Sequence, residues 1–345
     1  MSNKLIAIFY AILAAVFYAV NMPFSKTLLG SIAPTTLAAL LYFGAGIGIG
    51  LIYLCSRLDS RQQNRPGEPP NLTKEDLPYT LGMIVLDIIA PILLMFGLAH
   101  TTSANASLLN NFEIVATSLI ALLIFKESIS ARLWRAIFLV TLSSLILSFE
   151  DLSSLTFSWG SLLVLLAACC WGLENNCTRR LAAKNTYEIV TLKGLGSGLG
   201  SLLISFAVGE ALPNLTYILL ALALGFVAYG LSIFFYIKAQ NVLGAAKTSA
   251  YYAIAPFIGA LFSFIFLQET PSPNYLPALM LMLAGTAIII IDTLALTHTH
   301  RHTHTLISTH NGVTSRQTIR HEHPHSHILP NRKHNHRHRP AILPK

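Results

Sequence analysis

Charge is what this sequence has least of. Asp, Glu, Lys and Arg make up 11% of its 345 residues, where a soluble domain carries roughly 25%. The few charges gather between long apolar runs, which excludes a water-surrounded helical bundle with a polar face on every surface helix. Cysteine is sparse as well. Cys55, Cys169, Cys170 and Cys177 lie in or beside apolar runs and have neither zinc-site spacing nor the density of a disulfide framework, so packing is their expected use. A serine elbow, a zincin helix and a paired-carboxylate motif are also missing, and nothing points to an enzyme or to a resident cofactor. The first apolar run follows Lys4, lacks a small-residue cleavage site and continues into Asn21. It reads as a retained helix, not a cleaved signal peptide.

What is abundant is apolar length. Hydrophobic residues make up 53% of the chain, in runs of about twenty that can each cross a hydrocarbon core of about 30 Å. Ten spans are expected, at 5–24, 33–55, 79–98, 103–125, 133–149, 159–177, 187–208, 216–237, 245–267 and 275–296. The expected fold is therefore an all-α integral membrane bundle of ten transmembrane helices. The longest connection, 56–78, contains Pro66, Gly67, Pro69 and Pro70 and reads as a solvent-exposed loop.

Basic residues set the orientation. With the amino terminus cytoplasmic, inside segments hold Lys4, Arg57, Arg61, Arg65, Lys74, Lys126, Arg132, Arg135, Arg179, Arg180, Lys184, Lys238 and Lys247, and outside segments hold only Lys26. Positive residues stay inside, so both termini are expected in the cytoplasm and the protein in the plasma (inner) membrane. The net charge of +8 is then that of membrane anchors. The partner is the lipid bilayer, with no nucleic acid.

The chain also repeats itself. The segment from His100 through Ser107 to Phe125, Lys126, Glu127 and Ser128 matches Val242 through Ser249 to Leu267, Gln268, Glu269 and Thr270, at a separation of 142. Ala14–Asn21 matches Ala167–Glu174, and Gly44, Gly46, Gly48 and Gly50 recur as Gly194, Gly196, Gly198 and Gly200. Residues 1–150 and 151–296 are expected to be two five-helix repeats. Five is odd, so the second must cross the membrane upside down relative to the first. Inverted repeats of this kind are a transporter architecture, with the substrate site near mid-membrane between them.

Residues 5–296 resemble the drug/metabolite transporter superfamily, and within it the EamA-type family. The residues that carry the resemblance are Trp171, Gly172 and Asn175, the segment from Thr102-Ser103-Ala104 to Glu127, and its counterpart from Gly244 to Glu269 with Pro256. The resemblance implies a bundle with a central cavity that exports or takes up amino acids, related metabolites or amphipathic drugs. Two departures stand out. Tyr18-Ala19 replaces Trp-Gly in the first half, and the basic residue often found in the second span is absent, while the matching helix of the other half has Lys193.

Ionisable groups inside a membrane are costly and are functional candidates by default. Here they are Asp87, Glu113, Glu174, Lys193 and Asp292. Trp171, Glu174, Asn175 and Thr178 share one helical face, and Tyr18, Asn21, Met22 and Ser25 repeat that spacing in the first span. The two faces are expected to meet across a cavity. Asp87 corresponds by the repeat to Tyr229, which begins a stripe with Ser232 and Tyr236; Asn110 and Glu113 share the fourth span, and Tyr251 and Tyr252 stand near Pro256 in the ninth. The expected substrate-binding set is Tyr18, Asn21, Asp87, Asn110, Glu113, Trp171, Glu174, Asn175, Lys193, Tyr229, Tyr251 and Tyr252. Its expected ligands are a small-molecule substrate and a coupling proton. The glycine runs lack the strand–turn–helix setting of a nucleotide loop and read as close helix packing.

Every histidine except His100 lies in 298–338. The run His298, His300, His302, His304 offers imidazoles that could gather Zn or Ni incidentally, on a tail, 297–345, expected to be disordered. Two functions follow from these readings. The first is a secondary transporter, expected to export small organic solutes such as amino acids or related metabolites by alternating access. The alternative is a divalent-metal transporter or metal-regulated carrier that uses the tail.

Overall fold

The structure is a computed structural model that describes residues 3–58, 70–126, 129–151, 156–181, 184–243, 248, 251–294, 296–310 and 313–327. It divides into two units, Met1–Ile290 and Ile291–Lys345. The first is built of helices: α1 (Asn3–Ala19), α2 (Asn21–Leu28), α3 (Pro34–Leu58), α4 (Leu77–Ala99), α5 (Ser103–Leu109), α6 (Phe112–Phe125), α7 (Ala131–Ser148), α8 (Trp159–Leu181), α9 (Thr186–Ala207), α10 (Leu215–Gly225), α11 (Ser232–Leu243), α12 (Ala255–Leu267) and α13 (Tyr275–Leu294). A two-stranded link, β1 (Phe149–Asp151) with β2 (Thr156–Phe157), joins α7 to α8.

Among the described residues eight helical stretches are long and apolar enough to cross a membrane. The expectation was ten, and the two that differ do so for physical reasons. The sixth is a helix, Trp159–Leu181, but Glu174, Asn175 and Asn176 dilute its apolar character. The ninth appears as the shorter apolar helix Ala255–Leu267. Residues 253–254 before it form a turn, and residues 244–247 and 249–250 of the expected span lie outside the described residues.

Caps start the helices where the sequence supplies oxygen acceptors to the orphan N–H groups. The side chains of Thr102, Ser130, Asn185 and Asn214 accept from Asn105, Leu133, Tyr187 and Tyr217 N–H at 3.2, 3.0, 3.1 and 3.2 Å. Two caps cross the bundle. Glu269 takes the N–H groups of Ser103 and Ala104 at 2.8 and 2.9 Å, and Glu210 takes those of Thr35 and Thr36 at 3.2 and 2.7 Å. Burial pushes the Glu210 carboxyl up, but these bonds and the Thr36 hydroxyl outweigh it and hold the group below its usual range. Lys26 Nζ caps the end of α4 on Leu98 and Thr101 carbonyls, a structural use for the one basic residue assigned to the outside.

The repeat is visible in space. Lys126 and Gln268, 142 positions apart, end their helices in the same left-handed conformation, at φ 56° and 52°. The helix pairings also interchange between halves. α4 packs on α8 as α1 packs on α11; α6 packs on α8 as α1 packs on α12; α3 packs on α10 as α9 packs on α4. On the pseudo-symmetric centre α3 crosses α9, and the glycine runs make that crossing possible. A Cβ on Gly194 would lie 2.4 Å from the Gly46 nitrogen, and one on Gly46 would lie 2.6 Å from the Leu195 nitrogen. These obstacles are backbone and cannot turn aside. Gly194→Val is expected to force the helices apart, at a cost of 1–3 kcal/mol or more, the order typical of overpacking. The readout is a lower melting temperature and less monodisperse protein after extraction; wild-type values in both would contradict the crossing.

In the second unit the described residues beyond α13 are β3 (Leu296–His310) and β4 (Val313–His327), an antiparallel pair; residues 328–345 of the tail lie outside the described residues. The alternating Thr-x-Thr and His-x-His pattern supplies the reason for the strands, since a period of two with β-branched residues suits a pleated strand. His298 pairs in register with His325, His300 with His323 and His302 with His321.

Candidate functional site

The ionisable groups singled out within the spans converge. Asp87 on α4 and Glu174 on α8 both reach Lys193 on α9: Nζ lies 2.9 Å from Asp87 Oδ2 and 3.0 Å from Glu174 Oε1. Asp87 is wholly buried, Glu174 is 2% exposed, and the Lys193 side chain is 12% exposed. A charge taken out of water must be paired, and one ammonium here serves two carboxylates on two other helices. Further donors complete the pairing. Tyr42 OH donates to Asp87 Oδ1 at 2.9 Å, and the Thr178 hydroxyl, one turn along α8, donates to Glu174 Oε1. Asp87 stands near the middle of the span Lys74–Ala99, and Glu113 near the middle of Ser103–Ile124, so the cluster lies at mid-span depth.

Glu113 begins α6. Its Oε1 accepts from Asn175 Nδ2 at 2.6 Å, and the same amide reaches Thr117 Oγ1 at 3.3 Å. Gly172 lets α8 approach closely enough for this, because a Cβ there would lie 2.6 Å from Ala116 Cβ and 2.8 Å from the Thr117 nitrogen. Asn110 Nδ2 donates to Tyr18 OH at 3.1 Å. Between α5 and α6 the hydrogen-bond ladder tightens, with Glu113 N–H on the Asn110 carbonyl and Ile114 N–H on that of Asn111, both at 3.1 Å. Such breaks at membrane depth line sites in transporters.

The other wall is tyrosine. A π-helical turn, Phe226–Leu231, interrupts the eighth span between α10 and α11 and carries Tyr229. Single π turns of this kind are frequent at functional sites. Tyr229 OH accepts from Asn21 Nδ2 at 3.0 Å, and Asn21 Oδ1 accepts from Ser25 Oγ at 3.0 Å. Asn21 itself sits where α1 gives way to α2. The Tyr229 ring lies 6.0 Å from Tyr18, edge to face, and 5.1 Å from Tyr42; Tyr18 lies 5.8 Å from Tyr252, which meets Tyr236 at 5.1 Å. Trp171 belongs to the same buried cluster as Tyr42 and Tyr229.

The faces of the first and sixth spans, expected to meet, share no hydrogen bond among the described residues. The fourth span joins them, giving Asn110 to Tyr18 on one side and Glu113 to Asn175 on the other. Tyr251 is half-buried and takes no part in the tyrosine cluster among the described residues. Sequence reasoning missed Tyr42, whose only signal was a hydroxyl inside an apolar run. Among the described residues no group of three or more His, Cys, Asp or Glu side chains is placed to hold a metal ion. The side chains of His298, His300, His302 and His304 lie outside the described residues.

Comparison with known proteins gives this geometry a family. The profile of the EamA-like transporter family matches residues 5–149 and 158–291, one match to each repeat. An uncharacterized transporter of Methanothermobacter thermautotrophicus is 28% identical over 274 residues, 75% of this chain and 78% of that one. The uncharacterized transporter YyaM of Bacillus subtilis is 24% identical over 263 residues, covering 72% and 82%. A solved crystal structure, 18% identical, covers 84% of this chain and 97% of its own with a TM-score of 0.57, a likeness of fold alone.

Proposed function

Because this chain belongs to the EamA-like transporter family and is a helical integral membrane protein, we propose that it is a secondary transporter of small organic solutes that works by alternating access between two inverted five-helix repeats. The carrying observation is the mid-span cluster of Asp87, Glu113, Glu174 and Lys193 facing Tyr18, Tyr229 and Tyr252. Such groups are retained at membrane depth where they bind or relay something. The interchange of helix pairings between the halves supports the inverted reading. Two arrangements related by pseudo-symmetry have similar energies, which alternating access requires.

The ten-span topology, with both termini cytoplasmic in the plasma (inner) membrane, rests on the apolar runs and the loop charges, and net export is the direction taken from the family resemblance. The coupling ion is a proton. Asp87, Glu174 and Lys193 carry one excess negative charge when all are ionised, and a buried net charge is costly enough that a proton is the natural counter-ion. The substrate site comprises Tyr18, Asn21, Asp87, Asn110, Glu113, Trp171, Glu174, Asn175, Lys193, Tyr229 and Tyr252, with Tyr251 at its margin. Metal on the tail histidines is incidental, and no cofactor takes part.

Proteoliposomes test this reading with the full chain and with a chain ending at Leu296. Both should carry solute down an imposed proton gradient, screened across amino acids and their decarboxylated and deaminated relatives, and only the full chain should retain Ni²⁺. If the truncated chain inserts but carries nothing, the tail belongs to the mechanism. If transport follows Zn²⁺ or Ni²⁺ instead of any organic solute, the metal-transporter alternative replaces this one.

A further inference from the structure

The cluster has more acceptors than donors. Among its described residues are three carboxylates and one ammonium, and Lys193 is already committed to Asp87 and Glu174. Among the described residues Glu113 is hydrogen-bonded only by the neutral amide of Asn175, at 2.6 Å, with Lys193 acting on it from beyond ion-pair distance, although it stands in the first turn of α6, where the helix dipole favours an ionised carboxylate. Three residues earlier, Asn110 is 4% exposed. Its amide nitrogen is used on Tyr18, but its Oδ1 finds no donor among the described residues. A buried acceptor without a donor costs about 1–3 kcal/mol, which a ligand's N–H would recover. Tyr18 and Tyr252 are near enough to feel the charge of Glu113, and Tyr18 meets Tyr229 edge to face. Aromatic faces attract cations.

Resting on the transporter reading above, we propose that the solute is an organic cation whose ammonium is held between Glu113 and Asn110, with its body against Tyr18, Tyr229 and Tyr252. An ammonium brings three donors and no acceptor, matching an unused carbonyl oxygen beside a carboxylate that lacks a cation. A solute carboxylate would add a fourth anion. A zwitterion would need a second cation for its own carboxylate, and Lys193 already holds two.

The test uses the purified full chain and two matched trios of probes. One trio is tyramine, tyrosine and 3-(4-hydroxyphenyl)propionate; the other is isoamylamine, leucine and 4-methylpentanoate. Calorimetric titration should show amines binding at least tenfold more tightly than the zwitterion or the acid of the same trio. Glu113→Gln should weaken amine binding at least tenfold with an unchanged melting temperature, and Glu113→Asp should keep the amine preference at reduced affinity. If Glu113→Gln does not fold, Asn110→Leu with Glu113→Asp replaces it and should lose the preference. The proposal is overturned if either acid or zwitterion binds as tightly as its amine, if neither amine binds, or if these variants leave amine affinity unchanged. Transport of zwitterions or acids would then leave the transporter reading standing and remove only the cation. Transport of no organic solute at all would remove both.

Discussion

Lys193→Met is expected to cost most of the folded protein. The substitution keeps the length and apolar stem of the side chain but leaves Asp87 and Glu174 facing each other across the vacated position without a cation. Asp87 is fully buried and Glu174 nearly so. Removing one partner of a buried ion pair typically costs about 3–5 kcal/mol, chiefly because the remaining charge is left uncompensated, and here two charges are left. That is a large fraction of the 5–15 kcal/mol that holds an ordinary domain together. Extraction yield, size-exclusion profile and melting temperature should all fall.

The diagnostic arm is the rescue. Adding Asp87→Asn and Glu174→Gln to Lys193→Met removes both orphaned carboxylates while keeping their shapes. The triple variant should recover most of the melting temperature, because neutral amides can still accept from Tyr42 and Thr178. Recovery without transport would separate the fold from the function of these three groups. A single Lys193→Met variant as stable as wild type would mean that the carboxylates do not depend on this lysine, and the ion-paired trio would have to be abandoned.

The expense of burying charge is also why these residues were legible in the sequence. Asp87, Glu113, Glu174 and Lys193 stood out against apolar runs, and the fold brings all four to one depth. The repeat was legible because it is written in residue types: Lys126 and Gln268 end equivalent helices in the same left-handed turn, and the glycines of one run meet those of the other at Gly46 and Gly194. What the sequence could not display was partnership. Asn21 finds Tyr229 at a separation of 208 positions, and Tyr42 finds Asp87 through packing of α3 against neighbouring helices. Periodicity within one span assigns a face but not the helix that covers it, so the polar faces of the first and sixth spans were legible while the fourth span that bonds to both was not. Hydropathy likewise understated α8, because the residues that suit it to a site are the polar ones that lower its average.

Glu174→Gln is expected to fold, insert and lose most transport, or else lose the dependence of transport on pH. The change is nearly isosteric, and Gln still offers an oxygen to the Thr178 hydroxyl and to Lys193. Lys193 also retains Asp87 at 2.9 Å, so the variant holds one cation against one anion, a neutral pair that has no use for a proton. The groups facing Glu174 include Lys193 from α9, Asp87 from α4, Glu113 from α6, Tyr42 from α3, and Cys177 and Thr178 from α8 itself. Wild type puts a second carboxylate on this lysine, an excess negative charge that the variant's Lys193–Asp87 pair does not have, while Glu113 on Asn175 is the same in both. Uptake into proteoliposomes should therefore fall at least tenfold under a proton gradient, and whatever remains should vary little with external pH between about 5.5 and 8. Asp292→Asn supplies the comparison. It also removes one negative charge from an apolar helix, but at the end of the span Tyr275–Asp292. Transport by that variant should stay within about twofold of wild type. Glu174→Gln with wild-type rate, affinity and pH profile would reduce this carboxylate to a tie between helices and leave proton coupling without its carrier.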